Sequence, residues 1–130
     1  MNCPHCDKQL IQRRVPTELQ SVLRSEAKSV FLCDRCLYTQ PGELSETTAQ
    51  AMFTEIPSFP EGERGIAVAL LLGRLNQLAL NRQSAEALCE YIIADGVDIY
   101  LLIDRIIENK SIEPHYDLQR RWEQFQSWAE

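Results

Sequence analysis

Two short cysteine pairs stand near the start of the chain, Cys3-Pro4-His5-Cys6 and Cys33-Asp34-Arg35-Cys36, with 26 residues between Cys6 and Cys33. A C-x2-C pair clasps one side of a metal ion, and two such pairs supply the four soft ligands of a tetrahedral zinc site, with zinc to sulfur about 2.3 Å. Four thiolates leave no open coordination position, so a site of this kind stabilises a fold and is poorly placed to activate water. The intervening stretch exceeds the roughly 15–20 residues of the usual pattern, an excess that a strand, turn and strand can take up. The residues thus predict one structural Zn2+ held by Cys3, Cys6, Cys33 and Cys36.

Two other chemistries compete for the same residues. Cys3-Pro4-His5-Cys6 also has the form of a redox-active thiol pair, which in thioredoxin-like oxidoreductases follows a strand and opens a helix. A pair beginning at residue 3 leaves no room for that strand, and the second pair offers the thiolates a shared metal. The other candidate is nucleic-acid binding. Residues 1–40 carry a net charge of +2, with Arg13, Arg14, Arg24, Lys28 and Arg35 among the cations, whereas residues 41–130 carry −8. Phosphate backbones would be repelled by the acidic part, and only Phe31 and Tyr38 lie among the cations as stacking groups. A transcription-related, nucleic-acid-binding zinc ribbon is therefore the alternative, and a thiol redox protein using Cys3 and Cys6 a second one.

The remaining candidates read as structural. Cys89 falls on the apolar stripe of a helix, where a free thiol behaves as a small hydrophobe. His5, inside the first cysteine turn, is expected to be exposed, and His115, after Pro114, has no partner arranged for catalysis. The chain has no glycine-rich phosphate loop, no Gly-x-Ser-x-Gly and no His-Glu-x-x-His. The expectation is a non-enzyme, a protein-interaction or adaptor module whose partner is another protein or a second copy. No apolar stretch reaches about 18 residues, and Met1-Asn2-Cys3-Pro4 lacks a basic and apolar leader, so a cytoplasmic protein without a membrane span is expected. In that reducing compartment thiols serve as ligands or core residues.

The elements that must position these residues follow from periodicity. Gln9–Val15 and Lys28–Cys33 read as strands, and Leu19, Val22 and Leu23 recur at helical spacing between them, after Pro16. Pro41, Pro57 and Pro60 mark residues 41–62 as a connecting segment, within which Ser45–Phe53 reads as a short amphipathic helix and Met52, Phe53, Ile56 and Phe59 can dock on a core. From about Glu61, Ile66, Leu70, Leu71, Leu75, Leu78 and Ala79 form a face wide enough for a central, buried helix. Ser84 is a candidate cap for a second helix that stops at Gly96, and Asp98 for a third that ends near Asn109. A fourth begins around Pro114, with Leu118, Trp122, Phe125 and Trp128 on one face. The fold expected is α+β, mostly α: a zinc ribbon with a short β-hairpin at residues 1–40, packed on a bundle of about four helices at 63–130.

With the two cysteine motifs, Val15-Pro16-Thr17-Glu18-Leu19, Ala67 to Arg82, Gly96-Val97-Asp98 and Asp117-Leu118-Gln119-Arg120-Arg121 in view, the chain resembles a family of small haloarchaeal zinc-ribbon-like proteins without an assigned activity. It also resembles the broader group of small Cys-Pro-x-Cys-Gly related zinc finger proteins. Asp7 and Leu37 stand where that motif has glycine after each second cysteine. Asp tolerates the left-handed backbone such a turn needs, and Leu does so poorly.

Overall fold

The computed structural model describes residues 2–23, 28–42, 53, 54, 56 and 59–129. In chain order the elements are β1 (Ile11–Arg14), α1 (Thr17–Leu23), β2 (Ser29–Leu32), β3 (Thr39–Gly42), α2 (Glu63–Leu75), α3 (Leu78–Ala94), α4 (Ile99–Glu108) and α5 (Leu118–Ala129). The fold is α+β, a three-stranded antiparallel sheet in the order β1-β2-β3 beside a helical bundle.

The two predicted strands and the helix between them are present, each slightly shorter than expected. The Val15 N–H donates to the Lys28 carbonyl at 2.9 Å, so the chain leaves the sheet after β1, makes α1, and re-enters at β2. This excursion takes up the extra length between the cysteine pairs. β3 escapes a reading by composition because it is Thr-Gln-Pro-Gly. Proline cannot donate to a ladder and is tolerated on an edge strand, and β3 is an edge, with Pro41 opposite Val30.

One face of the sheet carries Ile11, Val30 and Leu32, which join a core cluster with Leu70, Leu71, Leu75, Leu88, Ile92 and Ile103 from the helices. Sheet and bundle therefore share one apolar interior that runs across residue 40. α2 lies at its centre, with nine of its thirteen residues buried, as its wide apolar face predicts. Gly73 is where α2 meets β3: a Cβ there would fall 2.0 Å from Thr39 Oγ1. Phe53 and Ile56 of the connecting segment are buried in the same cluster, with Phe59 packed against it. Met52 and most of the short helix expected over Ser45–Phe53 lie outside the described residues.

Helix boundaries differ from the periodicity at two places. α2 ends at Leu75, before Leu78 and Ala79, because the chain turns back at Asn76-Gln77 and α3 packs against α2. Both flanks of that tight reversal bury leucines, Leu75 and Leu78, so the apolar pattern continues through it. α3 then kinks at Asn81 (φ −119°), whose side chain donates to the Gln77 carbonyl at 3.0 Å, an example of a short polar side chain competing with helical backbone bonds. Ser84 does not cap a helix start; its hydroxyl donates to the Asn81 carbonyl at 3.0 Å. The other boundary is α5, which begins at Leu118, with Asp117 Oδ1 accepting from the Arg120 N–H at 3.1 Å. Residues 113–116 are not helical. Asp98 caps α4 as expected, accepting from the Leu101 N–H at 3.1 Å, and Gly96 (φ +90°) follows the end of α3.

Candidate metal centre

Pairing of β1 with β2 sets Ile11 opposite Leu32, which brings the chain just before β1 and the chain just after β2 to the same end of the sheet. Each of these stretches is a cysteine turn, and the two have the same construction. In the first, the Cys3 N–H donates to the Lys8 carbonyl at 2.7 Å and the Asp7 N–H to the Cys3 carbonyl at 2.9 Å. In the second, the Cys33 N–H donates to the Tyr38 carbonyl at 2.8 Å and the Leu37 N–H to the Cys33 carbonyl at 3.0 Å. Asp7 and Leu37 close the turns with left-handed backbones, φ 62° and 68°.

Leu37 keeps the turn that its residue type disfavours, and burial explains how. Left-handed backbone costs an L-residue about 1–2 kcal/mol. Leu37 is 1% exposed and belongs to the main core, and burying a leucine side chain contributes roughly 1.5–3 kcal/mol. The side chain that glycine would lack anchors the second turn to the bundle.

The four sulfurs converge. Their Sγ atoms all lie within 4.8 Å of one another, with Cys3 to Cys36 at 3.3 Å and Cys6 to Cys33 at 3.4 Å. A tetrahedron with metal to sulfur about 2.3 Å has edges of about 3.8 Å, so the cluster has the size and donor set of a thiolate metal site. The four cysteines could hold a metal ion. Three are buried and Cys6 is partly so, with Leu10, Phe31 and Tyr38 around them.

The surroundings act unequally on the thiols. Burial pushes the Cys33 and Cys36 thiols up, and for Cys36 the neighbouring Cys3 and Cys33 sulfurs add to the rise. At Cys3 burial works in the same sense but is outweighed by the backbone N–H groups of His5 and Cys6, and the net shift is downward. The His5 N–H lies 3.4 Å from the Cys3 sulfur. Four thiolates gathered in this space would repel one another, and a shared cation removes that cost.

A ring of contacts holds the two turns together and to the bundle. Lys8 and Asp34 form an ion pair between the turns, and Asp34 Oδ2 also accepts from the Phe53 N–H at 3.2 Å. His115 lies over the second turn: its backbone N–H and its Nδ1 reach the Cys36 carbonyl at 3.0 and 2.7 Å. Because a carbonyl can only accept, Nδ1 carries the proton and Nε2 accepts from the Asn76 amide at 3.1 Å. The His115 ring stacks on that of His5 at 4.3 Å. Its pKa is held below the ordinary histidine value by burial and by the nearby His5, against the opposing pull of the Cys36 carbonyl. Next to it, the Glu113 N–H donates to the Arg35 carbonyl at 2.7 Å, and Arg35 pairs with Glu113 at 3.2 Å.

All four cysteines expected as ligands are thus brought together. Cys89 stands apart in the helical core, its thiol pushed up by burial and by Glu90. His5 is exposed as expected. His115, Asn76, Glu113, Lys8 and Asp34 join the site through tertiary contacts that residue type and spacing do not announce. The one signal pointing to the 113–116 stretch is Pro114, which biases the residue before it toward extended backbone.

Among known proteins, a family model covers residues 2–129, and the chain belongs to that family, described as a family of unknown function (DUF6276). No curated protein and no solved structure matches the chain.

Proposed function

We propose that this DUF6276 protein carries one structural zinc ion on Cys3, Cys6, Cys33 and Cys36, in the manner of a zinc ribbon, and serves as a protein-interaction or adaptor module and not as an enzyme. The observation that carries the reading is the approach of all four sulfurs to within 4.8 Å of one another. A closed set of four thiolates suits a structural ion, since it leaves no coordination position for a substrate or water. The thiol redox alternative loses support from the local geometry, because Cys6 leads through a left-handed residue into a strand and does not open a helix.

The adaptor role is supported by the charge of −8 on residues 41–130 and by side chains that leave apolar surface in solvent on the helices: Leu80 (82% exposed), Ile93, Tyr100, Leu101 and Trp128. Another protein, or a second copy of this chain, is the partner that such a surface fits. Among the described residues, no helix is long and apolar enough to cross a membrane.

Elemental analysis of purified, untagged protein tests the metal assignment. One zinc per chain is expected, with the content lost in the Cys33→Ser, Cys36→Ser double variant. Absence of any stoichiometric transition metal would refute it, and iron in place of zinc would correct the identity of the ion. Size-exclusion chromatography with light scattering, together with crosslinking in native lysate, tests the adaptor role. A strictly monomeric protein that crosslinks to no other protein would remove it.

A further inference from the structure

The stretch between α4 and α5 is short, lacks helix, and is hydrogen-bonded to the second cysteine turn. Glu113 and His115 donate backbone N–H groups to the carbonyls of Arg35 and Cys36, and His115 adds its Nδ1–H to the same Cys36 carbonyl. On its other side the stretch is fastened to α2: Asn76 donates to His115 Nε2, and the Tyr116 hydroxyl donates to the Leu72 carbonyl. Immediately beyond it Asp117 caps α5, whose Leu118, Trp122 and Phe125 are buried in the core against α2 and α3. Arg35 and Cys36 lie in the turn that carries two of the four clustered sulfurs, so the direction of these carbonyls toward residues 113 and 115 depends on the shape of that turn.

We propose that Glu113–Tyr116 is a latch that links metal occupancy of the four-cysteine centre to the seating of α5, with His115 as the positioning residue. The proposal rests on the zinc reading above. When the metal is bound, the second turn presents two carbonyls to the latch and α5 is docked. When it is removed, the turn relaxes, the three hydrogen bonds lose their acceptors, and the start of α5 loosens from α2. The link runs in both directions: whatever factor the metal contributes to latch closure, latch closure contributes to metal affinity. His115 is thus a residue that tunes the metal site without coordinating the ion, through the backbone of one of its ligands.

Both tryptophans of the chain, Trp122 and Trp128, lie on α5, so the protein carries its own reporter. The test uses the full chain loaded with one zinc, the metal being withdrawn with a chromophoric chelator. Tryptophan emission should shift to the red as zinc leaves and return on re-addition. Amide exchange at Glu113 and His115, slow in the loaded protein, should accelerate together with that of α5 while α2 stays protected. In the reciprocal arm, His115→Ala should weaken zinc affinity about 5- to 150-fold, the usual range of such couplings. His115→Asn, which returns an N–H donor close to the Nδ1 position, should recover much of it. Unchanged emission and unchanged exchange at residues 113 and 115 after complete zinc removal would overturn the latch while leaving the zinc site intact. So would loss of protection in α2 and α5 together, which marks global unfolding. A wild-type protein that takes up no zinc at all would instead remove the zinc reading, a failure visible before any variant is made.

Discussion

Asp7 and Leu37 occupy the same position in two matching turns, with φ values of 62° and 68°, yet glycine should be nearly neutral at one and costly at the other. Asp7 is exposed, and its carboxylate accepts from the Asn2 amide at 3.3 Å. Asp→Gly there gives up a weak surface contact and relieves a mild strain, so stability should move by less than about 0.5 kcal/mol. Leu37→Gly relieves about 1–2 kcal/mol of left-handed strain. Against that, it deletes a side chain only 1% exposed in the main core, a loss of roughly 2–5 kcal/mol, and it adds about 0.5–1 kcal/mol of chain entropy to be lost on folding. The net is a destabilisation of about 2–4 kcal/mol, or a fall in Tm of roughly 10 °C at about 4 °C per kcal/mol. Urea unfolding of the zinc-loaded proteins, followed by far-ultraviolet circular dichroism, reads the difference. If Leu37→Gly stabilises the protein, or if the two variants shift together, the second turn is not anchored by its leucine and the account of its backbone is wrong.

Three further outcomes follow from contacts described above. Gly73→Ala should cost about 1–3 kcal/mol through overpacking against Thr39, and adding Thr39→Ala should recover much of that loss in thermal melts, since the clash is with the threonine side chain. Cys89→Ala should leave zinc content at one per chain and lower stability by about 1 kcal/mol, because Cys89 is a core residue far from the sulfur cluster; loss of zinc in this variant would contradict that placement. The pH dependence should differ between the two metal states. Thiols pushed up in the folded, metal-free chain, as at Cys33 and Cys36, contribute stability that is present below the ordinary thiol value of 9.0 and is lost as pH rises beyond it. The downward shift at Cys3 opposes this in part. Chelator-treated protein should therefore have a lower urea midpoint at pH 10 than at pH 8, whereas loaded protein should release zinc on acidification, as protons compete for the thiolates. A metal-free midpoint that rises with pH would refute the assignment.

Much of the site was legible because its residues advertise themselves in pairs. Two C-x2-C motifs require two turns side by side, and β-formers at 28–33 with Leu10, Ile11 and Val15 in the stretch 9–15 supply the strands that put them there. The helical core was legible for the same kind of reason: stripes such as Ile99, Leu102, Ile103 and Ile106 repeat at helical spacing, and Asp98 and Gly96 punctuate them. What escaped has no repeating signature. β3 is an edge strand tolerant of Pro41, so composition argued against it. The reversal at Asn76-Gln77 lies between two buried leucines and leaves the apolar pattern unbroken. The docking of His115 on Cys36 joins residues 79 apart in sequence, and single backbone carbonyls leave no trace in residue type. Leu37 was legible only as a misfit, since its strain is local while the burial that offsets it is tertiary.

That same separation between Cys36 and His115 has a consequence during biosynthesis. A ribosome releases the chain from its amino end, at about 5–20 residues per second, so both cysteine turns emerge while most of the helical part is still unmade. For the seconds that translation needs to reach Glu113 and His115, the carbonyls of Arg35 and Cys36 have only water to bond. On the zinc reading the nascent turns can capture an ion early, but the contacts from Glu113 and His115 arrive only after the intervening helices have been made. On that reading, a polypeptide stalled or cleaved before residue 113 would hold the ion more weakly than a chain that includes residues 113–116.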